Sequence, residues 1–310
     1  MASCPATDAS GRESGKLVRV GTAGWSYRDW EGTVYPAPPP GRFDRLAWMA
    51  RFVDVIEINA SFYRAPARRD TASWVARTAF NSRFTFSAKL ERVFTHESGR
   101  DDVAAERRFK NGLAPLAEAD RLAALLVQYP YAFHNTRDNR ARLSNTLTRF
   151  ADYALAVEFR HRSWITAEVL TWLRARDVVL AGLDQPQIGA SIGPSLPLTG
   201  PIFYLRLHGR NATHWFSPTA GREARYDHLY TPEELAPWLD RIRRAAASGV
   251  DGLVIANNHT RGQAAVNVVE LRHALEATQV PAPASLVRAY PRLAARARLI
   301  APDEADRRLF

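Results

Sequence analysis

Charged and aromatic side chains gather in this chain directly after short apolar runs. Val53 to Ile58 carries Glu57 and leads into Asn59, Tyr63 and Arg64, and Phe84 to Ala88 ends at Lys89. Ala154 to Val157 ends at Glu158, Arg160, His161 and Trp164. Phe203 to Leu207 carries Arg206 and leads into His208 and Arg210. Leu253 to Ala256 ends at Asn257, Asn258 and His259, and the first run, through Val20, ends at Thr22, Gly24 and Trp25. Glu57 and Glu158 form a candidate acid/base pair. Lys89 between them would depress a carboxylate pKa or, if desolvated, act as a base or Schiff-base amine. His208 is the fourth candidate catalytic group. Arg160, Arg206 and Arg210 suit a phosphate or carboxylate. Asn59, Asn257 and Asn258 would orient a substrate, and Trp25, Tyr63, Trp164 and Trp215 would wall it in. Arg64 completes the candidate substrate contacts.

Other chemistries compete. Glu158, Asp184 and His208 end three successive strand-like runs and could hold a divalent ion for a hydrolase or isomerase. Against this, the last run offers Asn257 in place of a carboxylate, and the Lys89 ammonium would repel the ion. The favoured reading therefore uses no metal and no cofactor. Two glutamates are weak evidence for glycoside hydrolysis. The fourth and seventh runs, where barrel glycosidases place their carboxylates, end in Gln128-Tyr129-Pro130 and Arg206-Leu207-His208. The loops after the seventh and eighth runs, with Arg210 and Arg261, stand where barrels often hold phosphate. Asn258 and Thr260 could equally cap the last helix. No nucleophile elbow and no HExxH motif is present. A purely structural role also stands open, since barrels bury Glu–Arg pairs as core electrostatics.

The elements that must position these groups are eight apolar runs of strand length. They are Leu17 to Thr22, Val53 to Ile58, Phe84 to Lys89, Leu122 to Gln128, Ala154 to Phe159, Val178 to Leu183, Ile202 to Leu207 and Gly252 to Ala256. Amphipathic stretches separate most of them: Asp44 to Phe52, Thr71 to Thr78, Arg107 to Ala119, Asn139 to Tyr153, Thr166 to Arg176, Pro232 to Ala247 and Ala264 to Ala277. This alternation predicts a single (β/α)8 barrel of the TIM type, with its site at the strand C-termini. An open doubly wound sheet would want a glycine-rich first turn, and Gly21-Thr22-Ala23-Gly24 is too poor in glycine. Strand parity puts Glu57 with Val55, Glu158 with Ala156, and Arg206 and His208 with Tyr204, which suits an interior polar site. Two long loops, Trp25 to Arg42 and His208 to Tyr230, are rich in aromatics and expected to cover the barrel mouth.

The 310 residues suffice for a large core without disulfides. The single cysteine, Cys4, permits neither a disulfide framework nor a cysteine metal cluster. No apolar run approaches the roughly 20 residues of a membrane span. Residues 1–16 lack an apolar signal core and are expected to be a disordered leader, with the barrel over 17–280 and a basic tail, open to packing on the barrel, over 281–310. The net charge of +10 is scattered along helix-like stretches, without an unbroken basic block or a nucleic-acid motif.

Several stretches carry a family resemblance. Gly21-Thr22-Ala23-Gly24-Trp25-Ser26-Tyr27, Glu57-Ile58-Asn59-Ala60-Ser61-Phe62-Tyr63-Arg64, Phe86-Ser87-Ala88-Lys89, Glu158-Phe159-Arg160-His161-Arg162-Ser163-Trp164, Tyr204-Leu205-Arg206-Leu207-His208-Gly209-Arg210 and Asn257-Asn258-His259 resemble the YecE-like proteins, the domain-of-unknown-function 72 family. The resemblance runs from about Val18 to about Ala277. It implies a TIM barrel and a cytoplasmic protein, and no particular reaction. The expected function is a metal-independent acid–base enzyme on a small anionic substrate, a sugar- or nucleotide-phosphate-like compound. The alternatives are the divalent-metal enzyme and a non-enzymatic module that binds nucleic acid through aromatic stacking and arginine.

Overall fold

The computed structural model describes residues 17–38, 43–97, 102–213, 215 and 222–301. The leader, residues 39–42 of the first long loop, His214 and the tail from 302 lie outside them. The strands of the main sheet are β1 (Val18–Ala23), β2 (Val55–Ile58), β3 (Thr85–Lys89), β4 (Leu122–Gln128), β5 (Leu155–Glu158), β6 (Val179–Leu180), β7 (Gly182–Asp184), β8 (Ile202–Leu207) and β9 (Asp251–Ala256). All pair in parallel, in the order β6-β5-β4-β3-β2-β1-β9-β8-β7. β6 and β7 are two pieces of one strand position, split at Ala181. β6 pairs with β5 through Ala156 and Val179, and β7 with β8 through Gly182 and Leu205. The Ala181 N–H still donates to Val157 O at 2.9 Å. The ring therefore runs through eight strand positions, a TIM barrel.

The helices are α1 (Arg45–Met49), α2 (Arg68–Thr78), α3 (Arg92–Thr95), α4 (Val103–Glu118), α5 (Arg137–Arg149), α6 (Ala167–Arg174), α7 (Arg222–Arg225), α8 (Pro232–Ala247) and α9 (Gln263–Glu276). β4, β8 and α8 have the expected bounds, while the other ends shift by a few residues. α4 starts at Val103 rather than Arg107 because the Asp102 carboxylate accepts from Ala105 N–H. α8 starts at a full capping box between Thr231 and Glu234. β10 (Val280–Pro283), α10 (Ala284–Ala289) and β11 (Ala297–Ile300) add a small parallel sheet. Leu286 and Leu293 of that segment are buried in the main core. No helix among the described residues is long and apolar enough to cross a membrane.

Two apolar cores divide along strand parity. Val55, Ala124, Leu126, Ala156, Val179, Tyr204, Leu253 and Ile255 pack in one cluster, the barrel lumen. Their neighbours of opposite parity, such as Phe86, Leu125, Val157 and Leu205, pack against the helices. The lumen is filled below by these apolar groups, so the polar members of the same parity stack above them.

β1 and β2 approach so closely that position 21 admits no side chain. A Cβ there would lie 1.7 Å from the Val55 carbonyl oxygen. Gly21→Ala is expected to lose about 1–3 kcal/mol or more in urea denaturation, as overpacked core sites do. Exposed Gly193, whose added Cβ would meet only Gln187 at 3.8 Å, should tolerate alanine within roughly 0.5 kcal/mol. Equal stabilities for the two variants would contradict this packing.

Candidate functional site

A buried guanidinium organises the top of the lumen. Arg206, from β8, donates from Nη2 to Glu57 Oε1 at 2.5 Å and from Nη1 to Glu158 Oε2 at 2.6 Å. It thus ties β8 to β2 and β5 across the barrel. The second Glu57 oxygen accepts from Tyr204 Oη at 2.7 Å, and Ser87 Oγ bonds to the same hydroxyl at 2.8 Å. The second Glu158 oxygen meets Arg160 Nη2 at 2.5 Å. Arg160 also donates to Gln185 Oε1 at 2.7 Å. Two carboxylates and two guanidiniums therefore balance. Burial alone would raise the Glu158 carboxyl, but Arg160 and Arg206, with His208, hold it well below the usual carboxylate range. Burial opposes the Arg206 charge, and Glu158 and Glu57 more than offset that.

His208 lies beside this network and stays neutral. Burial, then the Arg160 and Arg206 charges, push its pKa down to about 3. The Asn257 amide, 2.8 Å away, donates to Nδ1, which leaves the proton on Nε2, facing Glu158 at 3.6 Å.

Above the network opens a cavity of about 650 Å³ at the strand C-termini. Trp25, Tyr27, Asn59, Tyr63, Lys89, Gln128, Arg206, Tyr226, Asn257 and His259 line it. No carboxylate is among these lining residues. Lys89 ends β3, and its backbone is fixed by Ser61, whose hydroxyl donates to Lys89 O at 2.7 Å. Its ammonium nitrogen lies 3.9 Å from the Phe62 ring centroid. Burial, then repulsion by Arg206, lowers the Lys89 pKa to about 7, although Glu158 and Glu57 pull the other way. Aromatic faces bound the rest of the cavity. Tyr27 stacks on His259 at 4.4 Å, Tyr226 lies 5.3 Å from His259, and Trp25 is braced edge-on by Trp74.

The candidates separate accordingly. Trp25, Asn59, Tyr63, Lys89, Arg206 and Asn257 meet at the cavity. Glu57, Glu158 and His208 lie buried beside it in the ion-pair network, not on its lining, and Arg160 flanks Glu158. Trp215 stands beside the mouth, with Arg160 5.8 Å from its ring and His208 at 6.2 Å. Arg64 is exposed and outside the lining. Trp164 is buried in the helix shell, stacked on Phe159 at 4.2 Å and donating to Phe133 O. Asn258 turns outward and donates to His228 O and Asn267 Oδ1.

Asp184 corrects the proposed metal set. Val179 and Ala181 face the lumen, and Asp184 has the opposite parity. Its carboxylate accepts from Arg210 Nε at 2.9 Å and Nη2 at 2.7 Å, and from the Trp238 indole. It therefore does not join Glu158 and His208. Among the described residues no three His, Cys, Asp or Glu side chains cluster to hold a metal. Arg210 is likewise committed to Asp184, because Gly209, at φ +88°, turns the chain away from the lumen. Tyr27, Gln128, Tyr226 and His259 line the cavity without having been singled out. Gln128 had a signal, since it ends β4 with the parity of Ala124 and Leu126. Tyr226 belongs to the aromatic loop expected to cover the mouth, a signal that marked the loop but not the residue.

The family model described as "Protein of unknown function DUF72" matches residues 19–289. The UPF0759 protein YunF of Bacillus subtilis (strain 168) is 29% identical over 274 residues, which cover 84% of this chain and 95% of that protein. A DUF72 family protein from Thermotoga maritima has a similar structure, with a TM-score of 0.74 and 30% identity over 84% of this chain and 99% of that one. A DUF72 family protein from Enterococcus faecalis gives 0.73 and 25% identity over 84% and 96%. All the strand-end motifs from Gly21 to His259 fall inside the matched span. The chain therefore belongs to the DUF72 family, and its TIM barrel is the fold of that family's solved members.

Proposed function

We propose that this protein is a metal-independent enzyme that binds a small polar anion, a sugar- or nucleotide-phosphate-like compound, and moves protons with Lys89. One observation carries the reading: the cavity is lined by Lys89, Arg206 and the amides of Asn59, Gln128 and Asn257, with no carboxylate among the described lining residues. Such a surface attracts negative charge. A Lys89 pKa of about 7 leaves both protonation states populated near neutrality, which suits a general acid or base. Glu57 and Glu158 then act indirectly, by holding Arg206 in place and charged. The flat faces of Trp25, Tyr27 and Tyr63 would pack on a sugar or base ring.

Inorganic phosphate at low salt and pH 6.5 is expected to raise the melting temperature of the wild-type protein. Lys89→Met should weaken that binding about tenfold or more, since a hydrogen bond to a charged group contributes about 1.5–3 kcal/mol. Absence of any shift with phosphate, sugar phosphates or dicarboxylates would sink the reading.

Lys89 also predicts a pH dependence of stability. Its folded pKa of about 7 lies below the ordinary 10.5. Between these values the unfolded chain binds more protons, so this group's contribution to stability rises with pH across that window. Lys89→Met should be more stable than wild type at pH 7, and the gap should narrow by pH 10. Parallel melting curves at all pH values would show that the lysine is not depressed.

Glu158→Gln leaves Arg206 and Arg160 short of one negative charge. It is expected to cost about 3–5 kcal/mol, as breaking a buried ion pair does. Native stability by urea denaturation, with only turnover lost, would instead return Glu158 to direct proton transfer.

A further inference from the structure

We infer that Lys89 condenses with a carbonyl carbon of the substrate to form an imine, so that the substrate is an aldehyde, ketone or keto acid that also carries a phosphate or carboxylate. This rests on the anion-binding reading above and names its chemistry.

Three observations converge. The first is the choice of residue. The chain has 42 lysines and arginines, and only Lys16, Lys89 and Lys110 are lysine. At the two neighbouring cationic positions that pair with Glu57 and Glu158 it uses Arg160 and Arg206. A guanidinium supplies permanent charge but cannot shed its proton to become a nucleophile, whereas an amine can. Lysine at position 89 fits a need for the free amine.

The second is the charge balance. Glu57 and Glu158 are matched by Arg206 and Arg160, so a charged Lys89 is a third cation without a third carboxylate in the network. Burial and this excess of cations loosen the amine's hold on its proton, so the neutral, nucleophilic form is populated near neutral pH. A substrate anion would supply the missing negative charge and stabilise a protonated imine in turn.

The third is placement. Ser61 fixes the Lys89 backbone, and the Phe62 ring lies 3.9 Å from the nitrogen. The side chain lines the same cavity as Arg206, Asn59 and Gln128, which can hold the anionic group and the carbonyl oxygen.

The step balances without an oxidant or reductant. The ammonium sheds one proton, and its lone pair attacks the carbonyl carbon while the C=O π electrons move to oxygen. After the attack the nitrogen gives up a second proton, and the oxygen, having taken up both, leaves as water, expelled by the nitrogen lone pair. Ammonium plus carbonyl thus gives protonated imine plus water.

The test is borohydride trapping on the full chain with pyruvate and, separately, dihydroxyacetone phosphate, read by intact mass and peptide mapping. The expected result is a single reduced adduct at Lys89 with at least one probe, suppressed by inorganic phosphate and lost in Lys89→Met and Lys89→Arg. Mapping in the wild-type chain decides the position whether or not the variants fold. An adduct spread over Lys16, Lys110 and the N-terminus would overturn the inference as non-specific labelling. No adduct with either probe, while phosphate still raises the melting temperature, would overturn imine formation and leave the anion site standing. No adduct and no phosphate shift would overturn both.

Discussion

The fork of Arg206 between Glu57 and Glu158 is the interaction on which the upper half of this barrel depends. A guanidinium buried in a lumen is tolerable only if its charge and donors are met. Meeting them takes one carboxylate from β2 and one from β5, on far sides of the ring. Each carboxylate then has a second oxygen to satisfy, which brings in Tyr204 with Ser87 on one side and Arg160 on the other. Burial, then the two guanidiniums, keep His208 neutral near pH 7. Lys89, above the same balanced set, loses much of its hold on a proton. Burial, with the charges of Arg206 and Arg160, thus sets the protonation of these neighbours.

The fold was largely legible because period-2 alternation in the runs and a helical period between them are local properties. Where reading and structure part, a cap or a strand break is the cause. The run Val178 to Leu183 is one strand position split at Ala181, with β6 turned to β5 and β7 to β8. Apolar content cannot reveal that split, because every residue of the run is buried either way.

The site was legible where parity was followed and misread where residues were taken by proximity in sequence. Glu57, Glu158, Arg206 and His208 share the inward parity of Val55, Ala156 and Tyr204, and they meet. Asp184 and Asn258 have the outward parity, and both are held by partners in the shell. Arg210 has the inward count but follows Gly209, whose positive φ breaks the alternation. What parity could not say is which groups bind one another. Glu57 and Glu158 face the lumen, but their carboxylates are taken up by Arg206, Arg160 and Tyr204 and lie off the cavity lining, a pairing that only the assembled ring fixes.

That pairing bears on the chemistry open to the site. Carboxylates on the lining of the cavity would repel an anion and exchange protons with it directly. Bound to Arg206 and Arg160, they neutralise the guanidiniums, while Lys89 on the lining keeps a proton it can lose near neutral pH. On the anion-binding reading proposed above, an anion entering the cavity would favour the charged form of Lys89, so binding would draw a proton to it near neutral pH. By the same linkage, a substrate that arrives with its own negative charge would prepare the amine's environment for a cationic intermediate. Occupancy of the cavity and the protonation of one nitrogen would then form a single coupled equilibrium.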